Sequence, residues 1–407
     1  MGGRNKYITI DLLKYVPTNS YVELEPSFRI ELFSKAIKND GGRNKLAKLI
    51  GSCSSSIWEW KVGRKRPPLG SVFKCSKIAG ISREELSSNI QVLSSFFKMG
   101  NISVHKWKLV LNEEFAEWVG LIEGDGSITG KYVSCGNTFF GLIFFFITGL
   151  QKFFGIKKNQ IVITIWIPPQ DKVKNIRLAK LVKRLLMLKG FSRVSLRKRK
   201  VSEKRKAKQL LLEARVNVKI LSSLFKNFMS DLKVFLKNSP ATVKASYVAG
   251  FASAEGSITK DKNSRRFTIS QKSLDKLLFI RELLLDLGFQ GISDPEPNGK
   301  VFRISMSRRR ELERYLKEIG FGHHELRNQK MREILSSYSQ AEHKPIRERF
   351  NEVLNLLSIH GNLTGFLVAK KLKIKYKYAN RLLNKMINLG LIKVDKSSKP
   401  FIYFRVE

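Results

Sequence analysis

Residues 118–129 read WVGLIEGDGSIT, and residues 248–259 read VAGFASAEGSIT. An acidic residue repeats in the same register, Asp125 in the first copy and Glu255 in the second. The other letters shared in this register are Gly120/Gly250, Gly126/Gly256, Ser127/Ser257, Ile128/Ile258 and Thr129/Thr259. A repeated apolar segment that ends in a carboxylate and a glycine predicts a duplicated unit, and the spacing leaves each copy enough chain for one domain.

Each copy of the repeated segment is predicted to be a helix that packs against the other copy. Gly120 and Gly124 are four residues apart, as are Gly250 and Ala254, so each pair lies on one helix face. Small residues on that face let two backbones cross closely, which predicts two domains related by a pseudo-two-fold axis. The glycine after each acid is typical of the left-handed residue that follows a helix end.

Asp125 and Glu255 are therefore predicted at helix C-termini, where a carboxylate is electrostatically unfavourable. Two carboxylates at the ends of touching helices would also repel each other. A divalent cation removes this conflict, and Mg²⁺ accepts one or two carboxylates while it keeps positions for water and phosphate oxygens. Such a site supports phosphodiester hydrolysis. Asp125 and Glu255 are thus candidate metal ligands and catalytic residues.

The composition points to a polyanionic partner. The 407 residues include 76 Lys and Arg against 34 Asp and Glu, a net charge of +42 spread along the whole chain. With 43% hydrophobic residues the chain can build cores, which excludes a disordered protein. Nucleic acid is the first candidate partner; a ribosome-type basic protein or a membrane-surface protein is the alternative. Cys53, Cys75 and Cys135 fit neither a disulfide framework nor a metal motif.

Two segments of the sequence bear on the cellular location of the protein. The opening MGGRNKYITIDLLKYV contains no apolar signal region, so we expect no secretion. The run FFGLIFFFITGL (139–150) is too short to span a bilayer and is followed by Gln151 and Lys152. We expect a buried core helix there, no membrane partner, and a cytoplasmic, nucleoid-associated protein.

The paired motifs resemble those of the LAGLIDADG homing endonucleases in their single-chain, two-repeat form. The nine motif positions correspond to WVGLIEGDG and VAGFASAEG. The resemblance implies an α+β fold of two αββαββα repeats whose sheets form a saddle over the major groove of double-stranded DNA, in a monomer. It also implies Mg²⁺-dependent staggered cuts at long, specific sites, with the acids Asp125 and Glu255 at the eighth motif position binding metal.

The resemblance implies two further kinds of site residue. A strand Gln after the motif helps hold water at the metal; Gln271 fits in the second repeat, and no counterpart is identified in the first. A basic residue near the end of each repeat polarises that water. Lys237 fits in the first repeat, whereas in the second only His324 or Lys330 stands near that position. This departure also fits a nickase or an inactive descendant.

The order of predicted elements divides the chain into five regions. These are an N-terminal extension (1–28), a helix-turn-helix domain (29–100), a first repeat (105–238), a second repeat (239–345) and a winged-helix domain (346–407). Residues 29–98 look helical throughout. In the first repeat, 192–200 and 209–217 look like a strand pair.

The stretch RNKLAKLIGSCSSSIWEWKVGRKRP (43–67) fits a helix-turn-helix. Leu46, Ile50, Ile57 and Trp60 are placed for burial between the two helices, and Gly51 lies at the turn. The serines 54–56 offer capping oxygens for the second helix. That helix and the loop after it are predicted to contact DNA through Ser55, Ser56, Trp58, Arg64, Lys65 and Arg66. The alternative is a pair of packed helices with a basic surface loop.

Further basic sets are predicted to contact DNA phosphates. Residues 192–208 carry nine Lys or Arg and one Glu, with Arg197 and Arg199 on one strand face. The other candidates are Arg265 and Arg266 in the second repeat, and Lys377 and Arg381 on the third helix of the winged-helix region. A solvated basic surface is the alternative for the first sets, and a structural or dimerisation role for the last.

Three functions remain open at this point. The retained Asp125/Glu255 pair favours a site-specific double-stranded DNA endonuclease with accessory DNA-binding domains. A transcription regulator built on the same scaffold is the second reading, and the two flanking modules favour it. An RNA-binding maturase is the third.

Overall fold

The computed structural model describes residues 7–95, 101–102, 107–169, 172–199, 209–260, 265–338, 345–397 and 399–406. The chain divides into two compact units, Met1–Met331 and Arg332–Glu407. Helices and sheets are mixed throughout the described residues, so the predicted α+β class is confirmed.

The first module combines short strands with a cluster of helices. Its elements are β1 (Ile8–Asp11), β2 (Tyr21–Leu24), α1 (Pro26–Asn39), α2 (Arg43–Ile50), α3 (Ser54–Val62), α4 (Leu69–Ile78), α5 (Arg83–Asn89), β3 (Ile90–Ser94), β4 (Asn101–Ile102) and β5 (Lys108–Leu111). Strand β1 pairs with β5, and β3 lies between β2 and β4. Pairing therefore joins 8–24, which the sequence analysis treated as an extension, to the rest of the module. The helical prediction was wrong for β3, where the buried Ile90 and Leu93 anchor a strand.

Helices α2 and α3 lie where the sequence analysis placed a helix pair. Leu46, Ile50, Ile57 and Trp60 are all buried. Gly51 ends α2 in the left-handed conformation, with φ of 72°. The capping prediction was wrong, because Ser54 is already the first residue of α3 and Cys53 precedes it without a side-chain cap.

The first repeat contains an added strand and helix. Its elements are α6 (Glu113–Asp125), β6 (Gly126–Ile128), β7 (Val133–Asn137), α7 (Phe140–Phe154), β8 (Ile161–Ile167), α8 (Lys172–Leu188), β9 (Arg193–Lys198), β10 (Leu211–Val216) and α9 (Lys219–Lys237). The strand order is β6-β7-β10-β8-β9, with β9 parallel to β8 and the other pairs antiparallel. The predicted pairing of 192–200 with 209–217 was wrong, because β10 lies between β7 and β8. Without α8 and β9, the order would read αββαββα.

The second repeat follows the simpler order. Its elements are α10 (Ala241–Glu255), β11 (Gly256–Lys260), β12 (Arg265–Gln271), α11 (Leu274–Asp286), β13 (Glu296–Asn298), β14 (Val301–Met306), α12 (Arg309–Glu318) and α13 (Glu325–Ser336). The sheet order is β11-β12-β14-β13, and every pair is antiparallel. Strand β14 thus occupies the inner place that β10 occupies in the first repeat.

The two motif helices, α6 and α10, cross at their glycines. A Cβ atom on Gly120 would overlap the carbonyl oxygen of Tyr247, three residues before Gly250. A Cβ atom on Gly250 would overlap the carbonyl oxygen of Glu117, three residues before Gly120. This reciprocal contact is what a local two-fold relation between the helices produces. At the C-terminal ends, a Cβ atom on Gly124 would meet the methyl group of Ala254.

The apolar run of 139–150 forms a core helix, as predicted. Helix α7 buries Phe146 and Gly149 against Trp118 of α6, whose indole Nε1 donates a 2.9 Å hydrogen bond to the Phe146 carbonyl oxygen. A Cβ atom on Gly149 would overlap that indole ring, so glycine lets the helices approach. Across the described ranges, none of the helices combines the length and apolar character that a bilayer span requires.

The second unit contains three helices and a small sheet. After the end of α13 come α14 (Ile346–His360), β15 (Leu363–Thr364), α15 (Gly365–Lys371), α16 (Tyr376–Asn388), β16 (Ile392–Asp395) and β17 (Ile402–Arg405). Thr364 caps α15, because its hydroxyl accepts a 3.3 Å hydrogen bond from Leu367 N. Strand β17 lies between β15 and β16. Val353, Val368, Leu383 and Met386 form the fully buried centre of this unit's core.

Candidate active site

Asp125 and Glu255 are the last residues of α6 and α10. The two helices run side by side in the same direction, because Glu117 meets Gly250 and Gly124 meets Ala254. Both carboxylates therefore lie at the same end of the crossed pair. This placement agrees with the position predicted from the repeated motif.

The glycines that follow these acids do not have the predicted conformation. Gly126 has φ of −81° and Gly256 has φ of −74°, both extended, and each begins a strand. Glycine is needed there for a different reason. A Cβ atom on Gly126 would overlap the carbonyl oxygen of Ile122, and one on Gly256 would overlap that of Ala252. Close approach to the last helical turn, rather than a left-handed backbone, selects glycine.

Each carboxylate accepts a hydrogen bond from one side-chain amide. Asn137 Nδ2 donates to Asp125 Oδ2 at 2.5 Å, and Gln271 Nε2 donates to Glu255 Oε1 at 3.0 Å. The amide oxygens are already used, since Asn137 Oδ1 accepts from Phe139 N and Gln271 Oε1 accepts from Lys272 N, both at 2.7 Å. The two amides therefore act as hydrogen-bond donors that orient the carboxylates.

The sequence predicts Gln271 for this role but gives no prediction for Asn137. Hydrogen-bond register shows the two to be equivalent: Gly126 pairs with Cys135, two residues before Asn137, and Gly256 pairs with Ile269, two residues before Gln271. The signal in the sequence was the position of the hairpin partner. The linear spacing hid it, because 12 residues separate acid from amide in the first repeat and 16 in the second.

Burial disfavours the charged forms of both acids, and repulsion by Asp125 adds to this effect at Glu255. Burial raises the pKa of Asp125 above its ordinary value, against the hydrogen bond from Asn137 and the charge of Arg327. Burial and the nearby charge of Asp125 raise the pKa of Glu255 to about 7, against Gln271, Arg327 and Lys276. A site that holds two such carboxylates together favours a bound cation.

Two basic side chains reach the carbonyl ends of these helices. Arg327 Nη1 donates to the carbonyl oxygens of Ala252, at 2.7 Å, and of Ser253 in the last turn of α10. Lys276 Nζ donates to the carbonyl oxygen of Glu123 in the last turn of α6 at 2.8 Å. A cation is favourable at a helix C-terminus. These two residues therefore offset part of the electrostatic conflict for which the sequence analysis invoked a metal.

The residues predicted to polarise water do not occupy that role. Lys237 is exposed at the end of α9, with Nζ 2.6 Å from Glu282 Oε1. It precedes the start of α10, and Glu255 ends that helix about 22 Å further on. His324 is buried and stacks on Phe139 at 4.4 Å; burial and Arg327 lower its pKa to about 4, so it is neutral near pH 7. Lys330 is exposed on α13.

Comparison with known proteins finds similarity to one family in part of the chain. The LAGLIDADG-like domain model matches residues 242–320, which hold the second motif and the sheet that follows it. Homing endonuclease I-ApeI of Aeropyrum pernix is 28% identical over 100 residues, which are 25% of this chain and 45% of that one. Residues 242–320 are therefore similar to a LAGLIDADG-like domain. The segment matched to I-ApeI spans less than half of that curated relative.

Solved LAGLIDADG structures give partial superpositions. I-DmoI in complex with DNA and Mn has a TM-score of 0.29 and 19% identity over 52% of this chain and 97% of that one. Full-length DUF199/WhiA from Thermatoga maritima has a TM-score of 0.35 and 11% identity, with 68% and 90% covered. At these TM-scores and identities, neither likeness transfers a function or a ligand to this chain.

Asp125 and Glu255 fit a magnesium ion whose other ligands are substrate phosphates and water. In the described parts of the chain, no cluster of three or more His, Cys, Asp or Glu side chains could hold a metal. Mg²⁺ binds readily to one or two carboxylates when substrate phosphates and water complete its six positions. Asp125 and Glu255, oriented by Asn137 and Gln271, offer that set.

The predicted DNA contacts on α3 lie together at the surface. Ser55 and Trp58 are exposed, and the Arg64 guanidinium lies 4.6 Å from the centre of the Trp58 ring. Ser56 is half-buried and lies 2.8 Å from Cys53 Sγ. The two neighbouring cations are partly neutralised, since Lys65 pairs with Glu59 at 2.8 Å and Arg66 pairs with Glu23.

Most of the basic residues predicted on the two sheets lie on the face that the helices leave uncovered, which we call the open face. Arg197 on β9 lies beside Trp166 of β8, with its guanidinium 5.8 Å from the indole centre. Arg199 follows β9, and its N–H continues the ladder to Ile167 O at 3.0 Å. At the start of β12, Arg266 lies on the open face, whereas Arg265 lies on the side of the buried Phe267 and Ile269. In the second unit, Lys377 and Arg381 are exposed on α16.

Proposed function

We propose that this chain is a site-specific endonuclease of double-stranded DNA, with Asp125 and Glu255 as the catalytic, magnesium-binding residues. The observation that carries the proposal is the meeting of two half-buried carboxylates at one end of the α6–α10 crossing, each oriented by an amide. Packing explains the glycines of the crossing, but it does not explain two acids with raised pKa values beside each other.

The residues have distinct parts in this proposal. A bound Mg²⁺ would supply water activation and stabilise the leaving oxygen of the phosphodiester. Asp125 and Glu255 would hold the ion between the repeats, and Asn137 and Gln271 would keep the carboxylates in place. The open faces and the exposed sets on α3 and α16 would bind the DNA backbone, consistent with the net charge of +42. The chain would act as a monomer.

The test is cleavage of a plasmid that carries the DNA around the native gene. Purified full-length protein with Mg²⁺ should nick or linearise it, and a chelator should stop the reaction. Asp125→Asn and Glu255→Gln should abolish cutting while binding persists, since both keep the size of the side chain. Glu282→Gln, at an exposed acid on α11, is the matched control and should cut normally. Tight specific binding without any Mg²⁺-dependent cutting would exclude the enzyme.

A transcription regulator on the same scaffold is the second candidate, and one observation favours it. Arg327 and Lys276 already place positive charge at the helix ends, so the carboxylate pair could persist without a metal. The helix pair α2–α3 and the second unit would then provide operator binding. In that case Asp125→Asn and Glu255→Gln would leave the protein's whole activity, DNA binding, unchanged.

A further inference from the structure

The two LAGLIDADG sheets can be compared residue by residue through their hydrogen-bond register. In the first repeat, Gly126 pairs with Cys135, which pairs with Ala214 of β10. In the second, Gly256 pairs with Ile269, which pairs with Ile304 of β14. Ala214 and Ile304 are therefore equivalent, and so are the residues before them, Glu213 and Arg303. Equivalent positions thus carry opposite charges.

Glu213 and Arg303 both lie on the open face. Ala214 and Ile304 are buried under the helices, and strand alternation directs the preceding residues to the other side. Both residues are half-buried, and both lie on an inner strand: β10 lies between β7 and β8, and β14 between β12 and β13. They therefore stand near the middle of each sheet.

In the described strands of the first sheet, Glu213 is the only acidic residue. Its lateral neighbours are Gly136 and Thr164. Trp166 Nε1 donates to one of its oxygens at 2.8 Å. Among the residues that the structure describes, no Lys or Arg nitrogen lies within ion-pair distance of this carboxylate. One oxygen is thus held by the indole, and the other is left as an acceptor.

Arg303 has the complementary arrangement. Its Nη2 lies 3.5 Å from Glu296 Oε2 on β13, a long contact that orients the guanidinium. Its Nε is buried without a hydrogen-bond partner among the described residues. The remaining donors of the guanidinium fork face the same side of the sheet as Ser270 and Ser305.

We propose that Glu213 and Arg303 are specificity-determining residues that read opposite bases at equivalent positions of the two half-sites. In the major groove a Glu accepts from the N4 amino group of cytosine, and an Arg donates to guanine O6 and N7. The half-site under the first repeat would therefore carry cytosine where the other carries guanine, so this position breaks any palindrome. The inference rests on the proposed function, because it needs DNA across both open faces.

Selection of bound duplexes from a randomised library tests this proposal, with full-length protein and no divalent cation. Wild-type protein should enrich cytosine at one position and guanine at the symmetry-related one. Glu213→Gln should shift the first position from cytosine toward adenine, which Gln reads through N6 and N7, by roughly 10-fold. Arg303→Gln should shift only the second position. Glu282→Gln, which removes an acid at a site outside the sheets, should shift neither.

The outcomes separate this inference from the endonuclease proposal. If the enriched duplex is palindromic at these positions, or if Glu213→Gln and Arg303→Gln leave the enriched bases unchanged, the inference is wrong even when the duplex is cut. If the enriched duplex shows the shifts but is not cut with Mg²⁺, the endonuclease proposal fails and the inference stands. Thermal unfolding of each variant checks that the fold is kept.

Discussion

Arg327 Nη2 donates a 3.2 Å hydrogen bond to the carbonyl oxygen of Ala254, the residue directly before Glu255. The same guanidinium bonds the two preceding carbonyl groups of α10, so one side chain closes most of a helix end. Its charge lowers the pKa of both carboxylates. Arg327 therefore links the stability of α10 to the ionisation of the candidate site.

Arg327→Met should destabilise the protein and further raise the pKa of Glu255. Loss of charge-assisted hydrogen bonds that leaves buried carbonyl groups unpaired costs about 2 kcal/mol. Urea unfolding measures the first effect, and a pH titration of Mg²⁺ binding measures the second. Lys330→Met is the matched control, since Lys330 is exposed on the same helix. Equal behaviour of the two variants would contradict a capping role for Arg327.

Gly120→Ala and Gly250→Ala should each separate the motif helices. The new methyl group would overlap a backbone carbonyl oxygen that cannot move without the whole helix. We expect a loss of about 3 kcal/mol in the free energy of unfolding. Gly130→Ala is the control, because a Cβ atom there meets nothing within 4 Å. If all three variants unfold at the same urea concentration, the close crossing is wrong.

Stability should fall as the pH rises through the titration range of Glu255. Its pKa is about 7 in the folded chain against an ordinary 4.5, so the unfolded chain loses this proton first. The contribution of this proton to stability is complete below pH about 4.5, decreases up to pH about 7 and is constant above. Mg²⁺ needs the deprotonated acid, so its affinity should increase over the same range.

The difference between wild type and Glu255→Gln isolates this effect in urea unfolding from pH 4 to 9. The subtraction is needed because Glu117 raises the pKa of His323, so protonation of His323 also stabilises the folded chain as the pH falls. A difference that does not change with pH would show that Glu255 ionises as an ordinary acid.

Asn137→Leu and Gln271→Leu should each affect one carboxylate. Loss of a hydrogen bond to the charged form raises the pKa of that acid and weakens metal binding. In the plasmid assay each variant should slow one of the two strand cuts, so nicked circles accumulate. Gln290→Leu, at an exposed position outside the sheets, should cut like wild type. If Asn137→Leu behaves like that control, its equivalence to Gln271 is structural only.

DNA binding should depend steeply on salt. The logarithm of the binding constant falls linearly with the logarithm of the salt concentration, and the slope is about −0.9 for each phosphate neutralised. Arg197→Ala on β9 should reduce this slope by about one phosphate contact. Lys237→Ala should not, because Lys237 pairs with Glu282 in the structure. A binding constant that does not vary with salt would remove the case for nucleic acid.

The local parts of the site were predictable, and the long-range parts were not. The crossing was predicted from Gly120 with Gly124, and from Gly250 with Ala254, because a four-residue spacing is visible in any helical sequence. The predicted left-handed conformation of Gly126 was wrong, because a left-handed turn and a close contact both select glycine. Asn137 needed the strand register, and Arg327 reaches α10 across 75 residues of chain. No periodic pattern reports contacts of those two kinds.

The sheet order of the first repeat was missed for a related reason. Neighbouring strands in the chain usually pair, and that rule joins 192–200 to 209–217. Helix α8 instead joins β8 to β9 in a parallel crossover, so β9 pairs with one edge of β8. The other edge of β8 is left for β10, which enters the sheet between β7 and β8.

Strand β9 bonds to the sheet through β8 alone. The added helix and strand therefore leave the ladder β6-β7-β10-β8 and the Asp125–Asn137 hydrogen bond as they would be without them. Evolution could add α8 and β9 to the first repeat while the ladder β6-β7-β10-β8 was kept. Because β9 is an edge strand, residues 172–199 can be exchanged for another segment without a change in the other strand pairs. Such an exchange would alter the surface available to a ligand and leave Asp125 and Asn137 in place.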